Sequence, residues 1–65
     1  MNEQYLSPKT TAEILSTSVQ RLANLRSKGF GPAYSKIGSA IRYSRTDIDL
    51  FMEANRVIPH SGGLA

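Results

Sequence analysis

Apolar residues recur at helical spacing in a short stretch near the start of the chain. From Pro8 to Leu15, Ala12 and Leu15 lie on one face of a predicted helix. Ser7 is a suitable N-cap for this helix, and proline is favoured at the first helical position. The three small hydroxyl residues at 16–18 then favour a turn, because their side chains compete for backbone hydrogen bonds.

A second helix is predicted from Val19 to Lys28, with Ser18 as its N-cap and Gly29 as its C-terminal stop. The apolar residues Val19, Leu22 and Leu25 recur at every third position and are expected to face inward. The polar residues between them are expected to face outward: Gln20, Arg21, Asn24, Ser27 and Lys28. One face of this helix is therefore packed, and the other is polar and basic.

Two short runs follow a breaker segment at 30–33. The runs 34–37 and 40–43 combine aromatic and aliphatic side chains with serine, lysine or arginine, so we expect two strands in which one face packs and the other is exposed to water. Gly38 and Ser39 between them form a two-residue hairpin signal of type I′ or II′. An isolated two-stranded hairpin is marginal in water, so we expect it to pack against the helices.

A third helix is predicted to begin after Ser44, which has capping-box spacing to Asp47. We expect this helix to end by Arg56 or Val57, and Pro59 prevents its continuation. The predicted core consists of the inward-facing apolar residues, with Tyr34 partly in the core and partly in the hairpin. Its members are Ala12, Leu15, Val19, Leu22, Leu25, Phe30, Ile37, Ile41, Tyr43, Ile48, Phe51 and Met52.

The predicted elements form one domain over residues 5–57, with an N-terminal extension at 1–4 and a flexible tail at 58–65. A helix, a three-residue turn and a second helix form a helix-turn-helix unit. The hairpin adds a wing to this unit. The fold class is therefore mainly α with a small β-hairpin: a winged helix-turn-helix.

Composition excludes several kinds of function. The 65-residue chain contains no cysteine, and its one histidine, His60, lies in the tail. No metal site, cofactor or catalytic group is predicted, since the carboxylates also show no converging pair. No apolar run approaches the ~20 residues of a membrane span, and no signal peptide is visible at the start of the sequence. We expect a cytoplasmic non-enzyme with no membrane partner and no small-molecule substrate.

Charge is concentrated in the middle of the chain. Residues 19–45 contain six Lys and Arg and no Asp or Glu, whereas the remainder contains two Lys and Arg against five Asp and Glu. The middle therefore carries a charge of +6, and the flanks together carry −3. Because the basic residues fall on the second helix and the wing, an acidic partner for that surface is indicated.

Short motifs in a characteristic order run through most of the chain. They are Leu6-Ser7, Ala12 with Leu15, Ser18, Gly29, Pro32, Ile37-Gly38, Arg42-Tyr43, and Asp47-Ile48 with Phe51. In order and spacing the segment 5–54 resembles the excisionase and AlpA-like regulators, which are MerR-type winged-helix DNA-binding domains of prophages and mobile elements. The chain departs from that pattern at Ser16 and Thr17, where the family usually has a glycine and a small aliphatic residue. Further departures fall at Thr10, Ala23 and Leu25.

The resemblance implies sequence-specific binding of double-stranded DNA, with the second helix in the major groove. It does not separate an excisionase-like architectural factor from a small transcriptional regulator. The candidate recognition-helix residues are Ser18, Gln20, Arg21, Asn24 and Lys28. The candidate wing residues are Lys36, Ser39 and Arg42, and Lys9 and Arg45 are secondary candidates for phosphate contacts. Arg26 is ambiguous, because its stem can pack beside the core while its charged head stays free.

One such domain buries only about 600–1,000 Å² on DNA. We therefore expect repeated sites, self-association on DNA or a protein partner, for which an integrase or recombinase and RNA polymerase are the candidates. The alternative hypothesis is a protein-interaction module whose basic face binds an acidic protein surface. A preference among DNA duplexes would separate the two hypotheses.

Overall fold

The computed structural model describes residues 4–59 as three helices and three strands. In chain order the elements are β1 (Tyr5–Leu6), α1 (Pro8–Ile14), α2 (Val19–Ser27), β2 (Ser35–Ile37), β3 (Ala40–Ser44) and α3 (Arg45–Ala54). Residues 1–3 of the predicted extension and 60–65 of the predicted tail, including His60, lie outside the described residues. No helix in the described part is long and apolar enough to cross a membrane.

A serine caps the start of each helix, as the sequence predicts. Each hydroxyl oxygen accepts a hydrogen bond from the backbone N–H three residues later, which satisfies one of the free donors of the first turn. The pairs are Ser7 with Thr10 at 3.2 Å, Ser18 with Arg21 at 3.0 Å and Ser44 with Asp47 at 3.0 Å. The positions of all three helix starts are therefore confirmed.

Both helices of the helix-turn-helix end in the same backbone motif. At the end of α2, the Phe30 N–H bonds to the Leu25 carbonyl at 2.8 Å, and Gly29 takes a φ of +82° between them. At the end of α1, the Thr17 N–H bonds to the Ala12 carbonyl at 2.8 Å. In this Schellman arrangement the residue after the cap is left-handed, a conformation that glycine adopts most easily.

The left-handed position after α1 is occupied by Ser16, with a φ of +55°. It is the one non-glycine residue with a positive φ among the described residues. A side chain raises the energy of this conformation, because its Cβ approaches the following carbonyl oxygen. The departure from the family pattern at this position therefore falls where the backbone favours glycine.

The sheet has three antiparallel strands in the order β1-β3-β2. The predicted hairpin of β2 and β3 is confirmed. Gly38 has a φ of +62° and Ser39 does not have a positive φ, which is the pattern of a type II′ turn. β1 was not predicted, since two residues are too few to show an alternating pattern.

A small core lies between the helices and the sheet. Its buried apolar members are Ala12, Leu22, Tyr43 and Ile48, and partly buried Leu6, Leu15 and Ile41 pack against them. Leu25 and Phe51 are half-buried. Two polar residues that the sequence analysis did not place in the core, Thr11 and Ser44, are also buried.

The core prediction was wrong at four residues, which are exposed: Val19, Phe30, Ile37 and Met52. Ile37 is 71% exposed. It pairs with Ala40 of β3, and the two side chains lie on the sheet face opposite to that of buried Tyr43. Phe30 is 67% exposed in the loop after α2, between two positive-φ glycines. A chain this short has too little interior to enclose every apolar side chain.

The third helix ends before Arg56, within the predicted limit. It ends at Ala54, and the Asn55 side chain donates a hydrogen bond to the Phe51 carbonyl at 2.8 Å. The Phe51 carbonyl also accepts the Asn55 backbone N–H at 3.1 Å, so backbone and side chain of the C-cap residue both bond to the last turn of the helix.

Candidate nucleic-acid interface

One face of α2 forms an open depression. It is lined by Ser18, Gln20, Arg21, Asn24, Leu25 and Lys28. All five residues predicted for the recognition helix are in this set, so the structure brings them together on one surface. The depression contains no carboxylate among its lining residues, which leaves the positive charge of Arg21 and Lys28 uncompensated there.

Leu25 is the member of the depression that the sequence analysis did not assign to it. Its position in the three-residue apolar repeat predicted a core residue, and the side chain is in fact half-buried. It therefore serves both environments: part of it packs inward and part lines the depression. An apolar group on such a surface can contact a thymine methyl group in a major groove.

Two amides in the depression are joined across one turn of α2. The Gln20 Nε2 donates a hydrogen bond to the Asn24 Oδ1 at 3.1 Å. Gln20 keeps its carbonyl oxygen and a second amide hydrogen, which are the acceptor and donor that the major-groove edge of adenine requires. The pair therefore limits the rotamers of a group that can recognise a base.

No ion pair within residues 4–59 neutralises the basic residues of the depression. In the part of the chain that the structure describes, the ion pairs are Arg45 with Asp49 and Arg56 with Glu53. Neither Arg21 nor Lys28 belongs to them. Their side chains are therefore available to an external anion.

The two basic side chains of the wing lie on opposite faces of the hairpin. Lys36 pairs across the strands with Ile41, whereas Arg42 pairs with Ser35. Because side chains alternate along a strand, Lys36 shares the face of Ile41 and Arg42 shares the face of Ser35. The two cations therefore do not form one patch, although both flank the tip of the wing at exposed Ser39.

Arg42 is also the more constrained of the two wing cations. It is half-buried, and its Nη1 donates a hydrogen bond to the Ile41 carbonyl at 2.7 Å. Lys36 is exposed and has no such bond among the described residues. Lys36 is therefore the better placed of the two to meet a phosphate.

Lys9 and Arg45, the secondary candidates for phosphate contacts, differ in whether their charge is paired. Lys9 is exposed on α1. Arg45 donates from its Nε to the Asp49 carboxylate at 3.3 Å, and both side chains are more than half exposed. Exposed pairs of this kind contribute little energy, so Asp49 offsets the charge of Arg45 without holding it firmly.

The charged head of Arg26 is not free, which settles the ambiguity left by the sequence. Its Nη1 donates a hydrogen bond to the Tyr43 hydroxyl at 2.9 Å. Its guanidinium carbon also lies 5.8 Å from the centre of the Tyr34 ring. Arg26 therefore faces the wing instead of lining the depression with Arg21 and Lys28.

No group of three His, Cys, Asp or Glu side chains within residues 4–59 is placed to hold a metal ion. The acidic side chains of this part lie on α1 and α3: Glu13, Asp47, Asp49 and Glu53. The outward face of α2 and the wing are therefore the basic side of the molecule, and the acidic groups belong to other elements.

Comparison with known proteins identifies the family. A family model described as a helix-turn-helix domain matches residues 5–56, which is most of the chain. No curated protein and no solved structure matches the chain significantly. The chain belongs to the helix-turn-helix domain family and is a DNA-binding protein of that fold. The contact residues named above stay predictions within it.

Proposed function

We propose that this protein recognises a specific sequence in double-stranded DNA, with α2 in the major groove and the wing on the neighbouring backbone. The observation that carries the proposal is the composition of the depression on α2. Hydrogen-bonding side chains and two uncompensated cations line it together, and no carboxylate lies among them. The protein acts as a non-enzymatic binder in this proposal, in the bacterial or phage-infected cytoplasm.

The parts of this surface have different roles. Arg21 lies in the first turn of α2, where a recognition helix is nearest to the base edges, and arginine can bond guanine O6 and N7 together. Gln20, supported by Asn24, is suited to adenine. Lys28 and Lys36 are placed at the far end of α2 and on the wing, where they meet phosphates and add affinity without base preference.

The finer biological role also belongs to this proposal. We propose a MerR-type domain over residues 5–57 that acts as an excisionase-like architectural factor or a small transcriptional regulator of a prophage or mobile element. Because one copy makes few base contacts, we expect it to act through repeated sites, self-association on DNA, an integrase or recombinase, or RNA polymerase.

The test is selection from a pool of randomised duplexes, followed by salt titration of the selected duplex. Wild type is compared with Arg21→Ala and Lys36→Ala. We expect one sequence to be enriched, and Arg21→Ala to reduce discrimination at one position by about 1–3 kcal/mol. Lys36→Ala is expected to weaken binding to all duplexes alike and to reduce the salt slope by about 0.9.

A matched control is Arg56→Ala, which removes one positive charge from a residue paired with Glu53, outside α2 and the wing. It should leave both the base preference and the affinity nearly unchanged. If wild type retains no duplex even at about 50 mM salt, the proposal fails. The basic face would then be tested against acidic protein surfaces, as in the protein-interaction alternative.

A further inference from the structure

We infer that Arg26 is a positioning residue that holds the wing at a fixed angle to the recognition helix, and does not itself contact DNA. This inference rests on the proposed DNA recognition and identifies what sets the geometry of the DNA-binding surface. Arg26 thus differs in role from the basic residues of α2 and the wing that are proposed to contact DNA.

The first observation is the position of the partners. Arg26 is in the last turn of α2, Tyr34 immediately precedes β2, and Tyr43 is in β3. The Arg26 Nη1 bonds to the Tyr43 hydroxyl at 2.9 Å, and its guanidinium lies over the Tyr34 ring at 5.8 Å. Arg26 of α2 therefore contacts one aromatic residue beside β2 and another in β3.

The second observation is that these partners are themselves held in place. The ring of Tyr43 is in the core, with 1% of the residue exposed, and Tyr34 packs against it with ring centres 6.0 Å apart at 53°. A buried hydroxyl needs a hydrogen-bond partner, and Arg26 supplies it. The guanidinium gains a charge-assisted bond and a cation–π contact in return.

The third observation concerns the rest of the packing. Among the described elements, α2 packs extensively against α1, and β3 packs against α1, α3 and the other strands. The helix α2 and the wing strands are not among the pairs with extensive contact. The contacts of Arg26 with Tyr34 and Tyr43 therefore form a direct tie between α2 and the wing. Without this tie, α2 and the wing are connected mainly through α1 and the small core.

A fixed angle matters because α2 and the wing must reach DNA at the same time. Two contact surfaces on a rigid body bind cooperatively, since engaging the first presents the second at high effective concentration. If the tie is released, the wing must be ordered on binding, and the affinity falls even though no DNA-contacting group has been removed.

The test uses substitutions that remove the tie without removing charge. Tyr43→Phe deletes only the hydroxyl, and Arg26→Lys keeps the charge but loses the planar fork. We expect each to weaken binding to the selected duplex by about tenfold, the equivalent of one charge-assisted hydrogen bond. The matched control is Tyr5→Phe, which removes an exposed tyrosine hydroxyl from β1 and should change nothing.

Two readouts distinguish positioning from a merely structural role. If Tyr43→Phe disengages the wing, it should shift the salt slope toward that of Lys36→Ala although it removes no charge. In a Lys36→Ala background, Tyr43→Phe should cost less than about twofold in affinity, because the wing contact is already lost. A loss of folding would instead weaken binding in both backgrounds, and circular dichroism gives the folded fraction used to correct each affinity.

The results separate the two proposals. The inference is overturned if wild type binds its duplex and Tyr43→Phe binds equally well, or if the loss is the same in both backgrounds. It is also overturned if Arg26→Met lowers the salt slope while Tyr43→Phe leaves it unchanged, since Arg26 would then be a phosphate contact. If wild type binds no duplex, the proposed DNA recognition fails, and this inference fails with it.

Discussion

The side chains of Gln20 and Asn24 are joined by a 3.1 Å hydrogen bond on the outward face of α2. The bond uses one amide hydrogen of Gln20 and the carbonyl oxygen of Asn24. Gln20 can therefore present an acceptor and a donor to a base while Asn24 holds it in place. This makes Asn24 a support for base recognition, whether or not it also contacts DNA.

Asn24→Ala should therefore relax the adenine preference attributed to Gln20. We expect Gln20→Ala to remove about 1–3 kcal/mol of discrimination at one base pair, and Asn24→Ala to remove a smaller part at the same base pair. Competition binding against duplexes substituted at each position measures this. Ser27→Ala is the control, since Ser27 is on the same helix but outside the depression, and it should keep the adenine preference. If Gln20→Ala and Asn24→Ala lose discrimination at different base pairs, the proposed support of Gln20 by Asn24 is contradicted.

Ser18 has two roles that one pair of substitutions can separate. Ser18→Ala removes the cap on α2 and should lower the free energy of unfolding by about 1 kcal/mol. Ser18→Asp keeps a capping oxygen and adds a negative charge that the helix N-terminus tolerates. It should preserve stability and weaken DNA binding, because Ser18 lines the depression.

Denaturant unfolding and duplex titration of the two Ser18 variants provide the comparison. Ser7→Asp is the matched control, since Ser7 is half-buried, not fully buried, and caps α1 outside the depression. It should leave DNA affinity within the error of wild type. Equal affinities for wild type and Ser18→Asp would show that Ser18 is only a cap.

Ser16→Gly should stabilise the protein. The residue has a φ of +55° at the end of α1, where a side chain is unfavourable and glycine is not. After the greater flexibility of unfolded glycine is subtracted, we expect a gain of about 0.5–1 kcal/mol in the free energy of unfolding. Ser16→Ala retains a Cβ and should show no such gain in the same urea titration.

Thr11→Val should also stabilise the protein. Thr11 is fully buried in α1, and its Oγ1 has no hydrogen-bond partner among the described residues. Replacing that hydroxyl with a methyl group of similar shape removes the desolvation cost, and we expect about 1 kcal/mol of added stability. Thr10→Val is the comparison, because the Thr10 hydroxyl accepts a bond from Ser7 at 3.3 Å. A melting temperature that falls in Thr11→Val would disprove this explanation.

Local chemistry explains why much of the fold could be predicted from the sequence. The caps at Ser7, Ser18 and Ser44 are bonds between residues three apart, so they depend on little beyond the residue type. Gly29 and Gly38 likewise stop α2 and turn the hairpin through their own backbone freedom. The grouping of the recognition residues follows from helical periodicity, which places Gln20, Arg21 and Asn24 on one face once the helix start is known.

The tertiary structure decided what periodicity and local bonds do not specify. Strand register put Lys36 and Arg42 on opposite faces and left Ile37 exposed, because a face is buried only if another element covers it. The short β1 exists only because β3 is there to pair with it. Arg26 meets Tyr43 across a sequence separation of 17 residues, a contact that no local pattern records. The sequence by itself determined where the elements begin, turn and carry charge, since those depend on neighbours in the chain. Which side chains face each other depended on packing between distant segments.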